Sequence, residues 1–208
     1  MNPLDIIAEF YEPGSRAYKV LTQHGEQVAG KAVDAARKVP HLAPDIKFIR
    51  EAAMLHDIGI FLTNTPKLGC TGGYPYVCHG YLGREILEKK GFSSHALVCE
   101  RHVGVGITAE EIKRLNLPLP ERDMIPVSIE EQIVCFADKF FSKNGDQAGN
   151  ERSLEEISRS LERYGREKLI CFQSWTRMFE PACELIPRSL SKRSEDPALS
   201  GLRGKRAK

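Results

Sequence analysis

The chain has 208 residues, 41% hydrophobic and 28% charged, with a formal net charge of +2. That length suits one core of ordinary size with an appendage. The apolar runs are too short to cross a bilayer, and so small a net charge makes no case for nucleic-acid binding by itself. The start, Met1-Asn2-Pro3-Leu4-Asp5, has an acidic residue where a secretory leader would have a basic one, and no small-residue cleavage site follows an apolar stretch, so the expected compartment is the cytoplasm.

Pro3 at a first turn, followed by Leu4, Ile6, Ile7 and Phe10, predicts a short helix ending before Pro13-Gly14. Ser15 is placed to cap the next helix, expected from Arg16 to Val39, where Val20, Leu21, Val28, Ala32, Val33, Ala35 and Ala36 recur at helical spacing. His24 shares the inward face of Val20 and Val28. Pro44 is expected to open a helix through Ile46, Ile49, Ala52 and Leu55, ended by Gly59. The pair His56-Asp57 stands at its end.

Residues 61–75 are aperiodic and rich in Thr, Gly and Pro. A loop of that length inside a compact domain is usually functional, which makes it the candidate lid or substrate-selecting wall. His79 then opens a helix through Leu82, Ile86 and Leu87 to Gly91, and Ser93 or Ser94 caps another ending at His102. Thr108-x-x-Glu111, Ser128-x-x-Glu131 and Ser153-x-x-Glu156 have the capping-box form. The second of them starts the helix carrying Ile133, Val134, Phe136, Ala137 and Asp138. A last helix is expected over Leu169 to Leu185, then a basic, polar tail from residue 188 whose composition marks it as disordered, read first as solubilising and second as a weak electrostatic contact for RNA or another polyanion. No strand pattern emerges, so the fold class is all-α.

The six cysteines form no Cys-x-x-Cys pair, which gives a zinc finger or a thioredoxin-like site little support. Cys99 and Cys135 lie in apolar helical patterns and read as core, whereas Cys70 and Cys78 flank the loop and read as exposed. His41 and His95 read as surface residues.

His24, His56, Asp57, His79, His102 and Asp138 all lie in apolar, helix-like surroundings. Burying imidazoles and carboxylates without partners is expensive, and a divalent cation held from several packed helices satisfies both kinds of group at once. A single histidine on an apolar face is more often a hydrogen-bonded core residue, and that plainer reading weighs most on His79 and His102.

In its order of His, His-Asp, His, His and Asp, with Ile58-Gly59 after the pair, the chain resembles the HD-domain metal-dependent phosphohydrolases, in the small HDIG branch with two extra histidines. The resemblance covers roughly residues 15 to 142. It implies an HD-domain helical bundle with a helical C-terminal extension, divided as 1–14 N-terminal helix and linker, 15–150 HD domain, 151–187 C-terminal helices and 188–208 tail. It also implies a first ion on His24, His56, Asp57 and Asp138, and a second on His79 and His102 bridged by Asp57. Two divalent ions are expected, with iron or manganese favoured and zinc, cobalt, nickel or magnesium compatible with these donors.

The implied activity is hydrolysis of a nucleotide, dinucleotide or other small phosphate ester by metal-activated water. Asp57 is expected to act there, and Lys139 and Arg101, the cations adjoining Asp138 and His102, are candidates to assist it, each equally readable as a solvated charge beside a ligand. One departure is Ile60, where many HDIG proteins carry a lysine or arginine after the glycine. An HD-type di-iron oxygenase and a metal-stabilised regulatory or binding module are the alternatives. Expected partners are a small phosphorylated, nucleotide-like substrate and a second copy of the chain in a homodimer; no membrane is expected, and nucleic acid is the less favoured partner.

Overall fold

The computed structural model describes residues 1–143 and 150–181, and within them the fold is all-α. The α-helices are α1 (Pro3–Ala8), α2 (Arg16–Arg37), α3 (Ile46–Leu55), α4 (His79–Lys89), α5 (Ser93–Arg101), α6 (Ala109–Arg114), α7 (Ile129–Asp138), α8 (Leu154–Glu162) and α9 (Arg166–Phe179). Inside the 61–75 loop, two-residue strands β1 (Asn64–Thr65) and β2 (Cys70–Thr71) pair antiparallel. No described helix is long and apolar enough to cross a membrane. The expected end of the last helix at Leu185, Cys183 and the basic tail lie outside the described residues.

Local chemistry explains most helix starts. Ser15 accepts from the Tyr18 amide at 3.1 Å, a cap worth roughly 1 kcal/mol. Thr108 and Ser153 form complete capping boxes with Glu111 and Glu156. At α7 the box is only half made: Ser128 Oγ accepts from Glu131 N, but the Glu131 carboxylate turns to Arg101 and the Val127 amide. Two expected starts shift. Helix α3 begins at Ile46, two residues after Pro44, because Asp45 caps it by accepting from the Phe48 amide at 2.9 Å. Ser93 and Ser94 lie inside α5, which follows Phe92 with no side-chain cap.

Helix α2 runs along the main core. Val28, Ala32 and Ala36 pack with Ile49 and Ala53 of α3, Ile133 and Phe136 of α7, and Phe172, Trp175 and Phe179 of α9. The C-terminal helices therefore complete this core. A second cluster joins Ile6, Ile7 and Tyr11 to Leu21, Leu55 and Ile58, and a third joins Cys78 and Leu82 to Ile112 and Met124.

Gly59 does not end α3, which stops at Leu55 and passes through His56 into a 3₁₀ turn, Ile58–Leu62. Its small size has another purpose: a Cβ there would overlap the His79 carbonyl oxygen and lie 2.6 Å from Gly83 N. This contact seats the His-Asp turn directly against α4. Cys70 and Cys78 are likewise buried, because the loop folds back and sets Cys70 among the second cluster and Cys78 in the third. His95 is half-buried between Phe48 and Phe92 instead of lying on the surface.

Candidate metal centre

Five helices and one turn converge on one point. His24 comes from the middle of α2, His56 from the C-terminal cap of α3 and Asp57 from the turn that follows. His79 is the first residue of α4, His102 caps the C-terminus of α5, and Asp138 ends α7. All six are buried, with Asp138 the most exposed at 8%. Tyr11 fixes the turn from behind, donating to Ile58 O at 2.9 Å and accepting from the Phe61 amide at 3.0 Å.

The two oxygens of Asp57 face different histidines. Oδ2 lies 3.1 Å from His56 Nε2 and 3.4 Å from His24 Nε2. Oδ1 lies 3.2 Å from His79 Nε2 and 3.4 Å from His102 Nε2. Asp138 Oδ1 completes the first group, 2.9 Å from His24 Nε2 and 3.4 Å from His56 Nε2. The ring nitrogens of His79 and His102 lie 3.0 Å apart. Two sets that could each hold an ion result, His24-His56-Asp57-Asp138 and Asp57-His79-His102, with Asp57 common to both.

The donors suit a cation. His56, His79 and His102 each place Nδ1 within 2.6–2.7 Å of the carbonyl three residues earlier, on Ala53, Tyr76 and Cys99. That partner holds the proton on Nδ1 and turns Nε2 inward. Burial drives the His102 pKa down to about 3, with His56 and His79 adding to the effect. Its Nε2 therefore offers a lone pair to oxygens that are themselves acceptors, and Asp57 Oδ1, fully buried, makes no hydrogen bond. Acceptors facing acceptors require positive charge between them.

The other shifts do not all run one way. Burial lowers His24 to about 4, reinforced by Lys143. At His56 burial works in the same direction, but Asp57 and Asp138 outweigh it and lift the ring to about 9. Burial would raise both carboxyls; His56 and Lys143 instead hold Asp57 well below the usual range, and Lys139 and Lys143 do so for Asp138.

The residues adjoining the six donors take different places. Lys139 Nζ contacts the outer oxygen of Asp138 at 2.8 Å and donates to His102 O at 3.1 Å. Arg101 does not reach the centre; its guanidinium grips both oxygens of Glu131 at 2.9–3.0 Å. Cys78 donates to Pro118 O and stands apart from the donor sets.

Sequence reasoning missed Lys143, whose Nζ lies 2.7 Å from Asp57 Oδ2 and 3.7 Å from Asp138 Oδ1. Together with Lys139 and Arg152 it lines a cleft of about 210 Å³, which Tyr76, Asp138, Phe141 and Ser142 complete. Tyr76 stacks on His79 at 4.5 Å between ring centres. The 61–75 loop, expected as the wall, contributes no lining residue; the wall begins just after it. The only advance signal for Lys143 was its place one helical turn beyond Lys139.

Comparison with known proteins agrees with this geometry. The family described as HD domain matches residues 21–142. An uncharacterised protein of Methanocaldococcus jannaschii is 40% identical over 95 residues, 45% of this chain and 48% of that protein. A tRNA (cytidine(56)-2'-O)-methyltransferase of Picrophilus torridus is 36% identical over 124 residues, covering 59% of this chain and 32% of the relative. Its namesake from Thermoplasma volcanium is 33% identical over 159 residues, covering 76% and 40%. The chain thus spans less than half the length of each of these relatives. No solved structure matches it.

Proposed function

The chain belongs to the HD-domain family, and on that premise we propose that it is a metal-dependent phosphohydrolase acting on a nucleotide, dinucleotide or other small phosphate ester. One observation carries the reading: a cleft with Lys139, Lys143 and Arg152 on its walls opens onto Asp138 and, through Lys143, Asp57. Carboxylates alone would repel an anionic substrate, whereas three cations beside them attract one and hold its oxygens.

His24, His56, Asp57 and Asp138 would hold one divalent ion, and Asp57, His79 and His102 a second, with iron or manganese favoured. Ions bound there supply Lewis acidity and a water acidic enough to lose a proton near neutral pH. The chain's own groups do the rest. Lys139, tethered between Asp138 and the His102 carbonyl, and Arg152, tethered to the Lys139 and Glu156 carbonyls, are fixed donors that orient a phosphoryl group. The Tyr76 ring on His79 keeps solvent off that side of the second set.

A second reading places the phosphate on RNA. It is favoured by the names of two relatives, both tRNA methyltransferases. Methyl transfer itself is not carried over, because the chain covers less than half of either one.

The test is elemental analysis of protein purified without chelator, then a phosphate-release screen with manganese or iron(II) over nucleotides, dinucleotides and phosphorylated oligoribonucleotides. Release from the small substrates is the expected result, and release only from oligonucleotides selects the second reading. Oxygen uptake without phosphate release by the loaded protein would overturn both in favour of an oxygenase.

A further inference from the structure

Lys143 is the residue in the centre that neither the donor sets nor the substrate cleft fully explains. Its side chain is 10% exposed, and its ammonium lies among buried carboxylates. It addresses Asp57 Oδ2 at 2.7 Å and Asp138 Oδ1 at 3.7 Å. Those are the two oxygens that His24 Nε2 and His56 Nε2 also face. Lys139 differs, since it takes the other oxygen of Asp138 and a backbone carbonyl.

Two like charges cannot draw on the same pair of oxygens without opposing each other, and in a buried setting that opposition is poorly screened. We propose that Lys143 is an internal competitor for the ion-binding oxygens, and that its charge sets how tightly the His24-His56-Asp57-Asp138 set holds a divalent ion. The proposal rests on the reading that this set holds an ion. It makes Lys143 a positioning residue with two partners, the carboxylates on one side and the cleft on the other. The chain holds it there by pairing Phe141 with Glu151 and by the Arg152 amide donating to Phe140 O at 2.7 Å.

The experiment is calorimetric titration of the full chain with manganese(II) for the wild type, Lys143→Met, Lys143→Gln and Lys143→Arg. Removing the charge is expected to tighten binding by about tenfold or more, whereas arginine, which keeps it, stays within about threefold of wild type. Melting temperatures give an independent readout. In chelator, both neutral variants melt below wild type, because Asp57 and Asp138 lose a counter-charge; at saturating manganese the gap closes. A lysine with a purely structural role would lower both melting temperatures alike. Equal or weaker manganese binding by the neutral variants, with wild type binding normally, overturns the proposal alone. No binding by wild type overturns the metal-centre reading with it.

Discussion

The two halves of the centre share Asp57 and differ in nearly everything else. The His24-His56 half has two carboxylates, and Lys139 and Lys143 stand against them. The His79-His102 half has a single carboxylate oxygen, Asp57 Oδ1, and two imidazole nitrogens 3.0 Å apart. The first half is rich in negative charge and moderated by lysines, so its affinity is tunable. The second has little charge of its own and depends on its neighbour. An ion there should therefore be the weaker of two and the first lost on dialysis.

Breaking the shared element should have the largest effect. Asp57→Ala takes an oxygen from both halves, so elemental analysis should find bound metal nearly gone and phosphate release at background. Metal content and turnover at wild-type levels would refute the assignment. Next comes the double change His79→Ala with His102→Ala, which should remove about one ion equivalent and leave the other, since the first half keeps all four of its donors. Unchanged stoichiometry would mean that these histidines are core residues.

A third test strikes the second half from a distance. In Gly59→Ala the new Cβ meets the backbone of α4, so α4 must retreat and carry His79 away from Asp57. The expected cost is roughly 2–4 kcal/mol by denaturant melt, with the weaker ion lost before the stronger. A melt matching wild type would show that the approach is softer than the geometry implies. The smallest effect belongs to the cleft. Lys139→Met should raise KM by about tenfold, the order of one charged hydrogen bond, with metal content unchanged; loss of metal instead would make Lys139 part of the ion site.

What was legible in the sequence was mostly local. The serine and threonine caps at Ser15, Thr108 and Ser153 need only a few consecutive residues, and the structure makes each of them. The six centre residues were legible by their order and apolar setting, and the fold brings them together. Arg101 shows where adjacency misleads. On a helix successive side chains diverge by about 100°, so a residue next to His102 points elsewhere, here to Glu131. Lys139 also adjoins a centre residue, but it lies just past the end of α7, where the chain is free to turn back. Gly59, Lys143 and Arg152 were illegible for a common reason. Their roles come from chain segments meeting in space, the turn with α4 and residues 140–141 with 151–152, and no short pattern encodes such meetings.

The bond from three imidazole Nδ1 atoms to the carbonyl three residues earlier has a consequence for assembly. Each ring takes its bearing from its own stretch of backbone, four residues long, at the end of a helix or 3₁₀ turn. Aim is thus set by each ring's own backbone and not by the neighbouring helices, and packing has only to bring these ends to a common point. Loading such a centre is expected to be an insertion and not a folding event, so stripping followed by reloading should cycle while the helical circular dichroism stays level.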